Sequence, residues 1–293
     1  MKRILILLLI WLALFTGCTD TPEPARIAAT TLPVYEFTAA LCEGTGITVA
    51  RLVTEEVSCL HDYSLNVRQV RAAEAAEHIV ISGAGLEEFL GDLISESNII
   101  DASAGIPLLT PQEHHHGESD HHHHDHFHEE DPHIWLSPVN AAAMSENICT
   151  GLCDAYPEHR ETFQSNLTSL LEQINQLRIY GEETLASLPC RELITFHDGF
   201  SYFADAFGLT ILEAVEEESG SEASAKELIH LIEEVEHHHL PAIFTEKSGS
   251  VSAASIISRE TGCRCFALDM AMAGESWFDA MYHNIDTIKE ALQ

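Results

Sequence analysis

"PEHRETFQSNLTSLLEQINQLRIYGEETLASL", Pro157 to Leu188, decides the fold. Proline opens the stretch at a first-turn position. Leu167, Leu170, Leu171, Ile174, Leu177 and the pair Ile179–Tyr180 then recur at helical spacing. A helix of about 30 residues spans about 45 Å, longer than one lobe of an α/β protein, so this one can serve as a strut between two. A second helical stretch, Val139–Tyr156, precedes it.

On the N-terminal side, short β-branched runs at Arg26–Thr31, Ile47–Thr54, His78–Ser82 and Ile99–Ala102 read as strands. They alternate with helices near Val34–Cys42, Val67–Glu77 and Leu86–Ser95. Beyond the strut the alternation resumes. Strands are expected at Leu193–Phe196, Ile211–Ala214, Ala242–Thr245 and Cys265–Leu268, with helices near Gly199–Phe207, Ala223–His237, Val251–Thr261 and Ser276–Leu292. Such alternation predicts an α/β fold of two lobes, each a mostly parallel sheet flanked by helices, joined by one long rigid helix. The lobes are expected at 26–156 and 189–293, with the linking helix at 157–188. No residue-level repeat relates the halves.

The chain opens Met1-Lys2-Arg3 and runs apolar from Ile4 to Phe15 before small Gly17 and Cys18. This reads as a signal peptide over 1–17, since the apolar run is too short for a spanning helix. "FTGC" resembles a bacterial lipobox. Cys18 is therefore expected to carry a lipid anchor, with 18–25 as a tether and the folded part outside the cytoplasm on the bacterial cell membrane.

Against 14 Lys and Arg stand 47 Asp and Glu, a formal charge of −33, which opposes nucleic acid and favours cations. Of eight cysteines, seven remain after Cys18. Most read as small core residues, with Cys190 to Cys263 or Cys265 as a candidate bridge.

In open α/β sheets ligands bind beyond the carboxyl ends of strands. Four polar residues fall there: His61 in "CLHDY", His133 in "DPHIW", His197 in "TFHDGFSYF" and Asp269 in "FALDM". Two come from each half, so an ion held by all four would sit between the lobes. Three imidazoles and one carboxylate suit zinc in tetrahedral geometry, whereas an all-oxygen set would favour magnesium or calcium. Asp62, Asp198 and Glu246 are candidates to orient the imidazoles through their second nitrogens. Each of these residues, taken alone, also reads as an ordinary solvated or capping side chain.

Between Glu113 and Asp131 lie nine further histidines, His114, His115, His116, His121, His122, His123, His124, His126 and His128. With one apolar residue among them, Phe127, they read as an accessory loop that gathers zinc weakly, or as a solvated insertion. His237-His238-His239 reads as a cationic helix end, because consecutive helical residues point about 100° apart and cannot converge on one ion. "HEEDPH" is not a metalloprotease motif: His128 and His133 are five residues apart with a proline between them.

"HDYSL", "DPHIWLSP", "FHDGFSYFADAFGL", "IFTEKSGS" and the late "LD" together resemble the metal-binding proteins that serve ABC importers of zinc and manganese. The resemblance covers nearly the whole mature chain. It implies a fold of two lobes tied by one helix, delivery of the bound ion to a membrane permease, and ligands at His61, His133, His197 and Asp269; the chain is expected to be a monomer and not an enzyme. Manganese members usually carry glutamate where His197 stands, and they lack the histidine-rich loop. After Asp269 the chain continues Met270-Ala271 where the family has Pro-Leu, so water or Glu222 of "EEESGSE" are alternatives for the fourth position. A zinc buffer or adhesin using the same site is an alternative function. A secreted zinc hydrolase is a weaker one, since it would need an open ligand position.

Overall fold

The computed structural model describes residues 25–55, 60, 63–93, 98–110, 130–215, 224–247 and 249–293. Cys18, His61, Asp62, Glu222 and the nine loop histidines lie outside the described residues.

Two parallel sheets of four strands form the layers. The first has the order β2-β1-β3-β4, built from β1 Ile27–Ala29, β2 Val49–Arg51, β3 His78–Ile81 and β4 Ile99–Asp101. The second has the order β6-β5-β7-β8, built from β5 Glu192–Thr195, β6 Thr210–Ala214, β7 Ala242–Glu246 and β8 Arg264–Leu268. In both sheets the order reverses between two central strands, β1 and β3 or β5 and β7. The crevice that opens at such a switch point lies at the strands' carboxyl ends.

Helices start where the sequence supplies caps. Asn66 and Gln69 make a reciprocal capping box ahead of α2 (Val67–Ala75), and Ser224 and Glu227 do the same ahead of α6 (Ala225–His238). The Ser137 hydroxyl accepts from Asn140 N, and Pro138 occupies the first turn of α3 (Pro138–Ala155). One expected helix is different: over Leu86–Ser95 the chain forms a kinked 3-10 segment at Glu88–Leu93, with Gly91 at φ 46°. The backbone winds here because Gly83, Ala84 and Gly85 also adopt positive φ.

The strut is α4, Arg160–Leu185, preceded by a 3-10 turn at Pro157–His159. Its 26 residues span about 39 Å. At its N-terminal end Asn166 Nδ2 donates to the carbonyls of Leu41 and Glu43 in the first lobe. Towards the other end, Gly181 lies so close to Phe207 and Ile285 of the second lobe that no Cβ would fit. The strut is not the only tie. A single hydrophobic core runs from Ile27 and Phe37 through Trp135 and the strut to Trp277 and Ile285. Trp135 Nε1 donates to Met270 O (2.8 Å) and Trp277 Nε1 donates to Trp135 O (3.1 Å). Trp277 also packs edge-on against Phe37 of α1 (Leu32–Cys42), with ring centroids 5.1 Å apart.

The candidate bridge from Cys190 is absent: Cys190, Cys263 and Cys265 are all free thiols. Cys263 is buried against Ile257 and Ile243 as a small core residue, whereas Cys265 is exposed.

Candidate metal centre

His133 is fixed by a local turn. In Asp131-Pro132-His133 the Asp131 Oδ1 accepts from the His133 backbone N (2.9 Å), which is an Asx turn, and it also meets His133 Nδ1 at 2.8 Å. Trp135 packs edge-on to the imidazole at 5.4 Å. The segment is held from both sides: Asp131 N donates to Leu109 O, and the Tyr202 hydroxyl, reaching across from α5 (Ser201–Phe207), donates to Asp131 O.

His197 leaves the end of β5 with its carbonyl accepting from the Thr195 hydroxyl. Its Nδ1 lies 2.7 Å from Glu246 Oε1 at the end of β7. These are the two strands that flank the switch point of the second sheet. Gly199 keeps the space open, since a Cβ there would come within 2.7 Å of the His197 ring carbon Cδ2.

The two lobes bring these imidazoles face to edge, with Nε2 of His133 and Nε2 of His197 3.4 Å apart. His133, Asp131 and Glu246 are 4%, 6% and 5% exposed, so each Nδ1–H has a buried carboxylate as acceptor. In the neutral ring a carboxylate acceptor at Nδ1 favours the proton on that nitrogen, which leaves the Nε2 lone pair available towards the other ring. Two lone pairs facing at this distance repel unless a cation lies between them. Two nitrogens at zinc-ligand distance, about 2.05 Å, and at the tetrahedral angle stand about 3.3 Å apart. The donor pair therefore fits zinc. A second feature favours positive charge: among the described residues the buried Asp131 Oδ2 has no hydrogen-bond partner.

Asp269 stands one residue past Leu268, the strand partner of Glu246. Its Oδ1 accepts from Ala271 N in another Asx turn, and its Oδ2 meets Lys247 Nζ at 3.3 Å. Asn284 clasps its backbone through both amide atoms. Asp198 is half-buried in the turn after β5. Among the described residues no three His, Cys, Asp or Glu side chains converge as a complete metal shell; the third imidazole expected, His61, lies outside them.

Asp131 is the residue that adjacency in sequence missed. Its signal was the Asp-Pro-x pattern: an aspartate two residues before a histidine turns its carboxylate back onto that residue.

The model of the ZnuA family, zinc-uptake complex component A, periplasmic, matches residues 27–291. The chain belongs to this family. The zinc-binding lipoprotein AdcA of Streptococcus pneumoniae strain R6 is 29% identical over 307 aligned residues, covering 99% of this chain and 61% of the relative. Zinc-binding protein AdcA of Streptococcus pyogenes serotype M3 is 26% identical over 286 residues, covering 90% of this chain and 55% of the relative. The chain thus spans about three fifths of the length of these relatives. Among solved structures, a crystal structure of ZnuA superposes with a TM-score of 0.76 at 26% identity, over 92% of this ZnuA-family chain and all of the other. The Zn(II)-bound ZnuA-like domain of S. pneumoniae AdcA superposes at 0.75 with 26% identity, over 91% and 98%.

Proposed function

We propose that this chain captures Zn2+ outside the cytoplasm, between its two lobes, and delivers it to an ABC permease while held to the membrane by lipidated Cys18. Zinc is the cargo. His61, His133 and His197 supply imidazole nitrogens and Asp269 the fourth ligand. The observation that carries this reading is the pair of Nε2 atoms 3.4 Å apart, each ring backed by a buried carboxylate. Membership of the zinc-uptake family supports the cargo and the destination, and the names of the AdcA relatives support the metal.

In this scheme Asp131 and Glu246 hold the rings with their lone pairs inward, and the histidine-rich loop adds weak, replaceable sites beside the main one. Zinc titration of the full chain against a competing chelator tests the assignment. His133→Ala and His197→Ala should each remove the single tight site, whereas deletion of residues 114–128 should leave it. A tight site that survives both alanine variants refutes the assignment. Delivery is tested by growth under zinc chelation, where loss of the gene should impair growth if the chain feeds a permease and leave it unchanged if the chain only buffers zinc.

A further inference from the structure

Helix α6 carries histidines for which the centre between the lobes has no use. His230, Glu234 and His238 recur at every fourth residue and so form one row along the helix, beside the buried Leu231 and Val235. The row runs past the edge of the second sheet. His230 Nε2 lies 3.2 Å from Glu213 Oε1 on β6, and His238 Nδ1 lies 3.0 Å from Glu192 Oε2, at the first residue of β5. His197 stands two residues past the end of that strand, so His238 sits at the opposite end of the lobe from the metal centre.

The surroundings of His238 repeat the chemistry of His197. A carboxylate, Glu192, faces Nδ1, and in the neutral ring it favours the tautomer that keeps Nε2 free to bind a cation. Glu234 Oε2 lies 3.6 Å from that Nε2. A nitrogen and an oxygen bound to one zinc ion at about 2.0–2.1 Å stand about 3.3 Å apart, so a small side-chain shift would let both bind the same ion. The His237 ring packs edge-on against His238 at 4.9 Å and limits its rotation. With side chains 26% and 27% exposed, His238 and Glu234 are reachable from solvent yet partly shielded.

We infer that His238 Nε2 and Glu234 Oε2 form a second, solvent-open site for a borderline divalent cation such as Zn2+, with Glu192 orienting the imidazole. No third His, Cys, Asp or Glu converges there among the described residues, so water completes the shell. His230 lies two turns away, about 12 Å along the helix, and cannot share the ion. Two protein ligands and open water positions make this site weaker and faster to exchange than one closed by four.

Imidazole nitrogen spectra of the full chain during a zinc titration test the inference. After His133 and His197 have responded to the first equivalents, the His238 Nε2 signal should move to a metal-bound position. In Glu234→Gln this shift should need at least tenfold more zinc, and in Glu192→Gln severalfold more, with the His133 and His197 responses unchanged. A His238 signal that stays at its metal-free position under a hundredfold excess of zinc overturns the inference, as does an identical shift in wild type and Glu234→Gln. Failure of the main site would show separately, as silence from His133 and His197.

Discussion

Asp131→Asn isolates the electrostatic part of the centre. The asparagine Oδ1 can still accept from His133 N and Nδ1, now 2.9 and 2.8 Å from the aspartate, so the turn and the tautomer survive while the charge goes. An ion bound at Nε2 would sit about 6–7 Å from that carboxylate. At an effective dielectric near 20 the full attraction of a divalent ion is about 5 kcal/mol, of which desolvation and the charge of neighbouring groups cancel a large part. Loss of a carboxylate behind a metal-bound histidine costs about 10–100-fold in affinity, or about 1.4–2.8 kcal/mol, within that ceiling. Chelator competition on the full chain reads the affinity, and thermal melting of the metal-free protein reads the fold. The expected outcome is a weakening in that range with the melting temperature nearly unchanged. Asp131→Ala should differ, because the buried His133 N–H then loses its acceptor at a cost of about 1–3 kcal/mol in the metal-free protein too. Should Asp131→Asn bind zinc within twofold of wild type while melting normally, the carboxylate plays no part in holding the ion and the tautomer argument fails.

Gly199→Ala would push a methyl group into the His197 ring and the end of Met270, and is expected to weaken zinc binding about tenfold or more, measured by the same competition. Gly181→Ala would drive a Cβ into Phe207 and Ile285, and chemical denaturation should show a loss of about 1–3 kcal/mol with zinc stoichiometry preserved. Glu87 supplies a pH dependence: burial raises its carboxyl from 4.5 to about 7, only partly offset by hydrogen bonds from the Thr30 hydroxyl and the Ser82 and Gly83 amides. A folded-state value above the unfolded one means that its contribution is fully present below pH 4.5 and lost as pH rises through about 7. The loss is on the order of 3 kcal/mol. Melting temperatures of the metal-free chain should show this decline across that window, and Glu87→Gln should flatten it at a lower overall stability.

The architecture was legible because period carries it. Short β-branched runs and the amphipathic strut keep their spacing in the sequence, and all eight expected strands form within three residues of their expected ends. The segment at Leu86–Ser95 was misjudged because its apolar residues have helical spacing, while Gly83 and Gly85 ahead of it and Gly91 within it adopt positive φ that only the backbone reveals. In the site, the position of His133 and His197 at strand and loop ends was readable. That their Nε2 atoms meet was not, since it depends on packing between residues 64 positions apart. Of the carboxylates expected to orient an imidazole, Glu246 meets His197, whereas Asp131 was not foreseen. His197 is held by Glu246 from another strand, and His133 by an aspartate two residues upstream. The residues expected to supply a third imidazole, the histidine-rich loop and a lipid anchor all fall outside the described residues.

The tryptophan tie has a mechanical consequence. Trp135 and Trp277 are fully buried at the junction of the halves, each spending its indole N–H on a carbonyl there. Swinging the halves apart would wet both rings, at roughly 25 cal/mol for each of the 150–250 Å² that such a ring buries, or about 4–6 kcal/mol apiece before the two hydrogen bonds are counted. Thermal motion rarely supplies that. The halves are therefore joined by a stiff tie rather than a free hinge: any motion that parts them must first expose both rings and give up both hydrogen bonds.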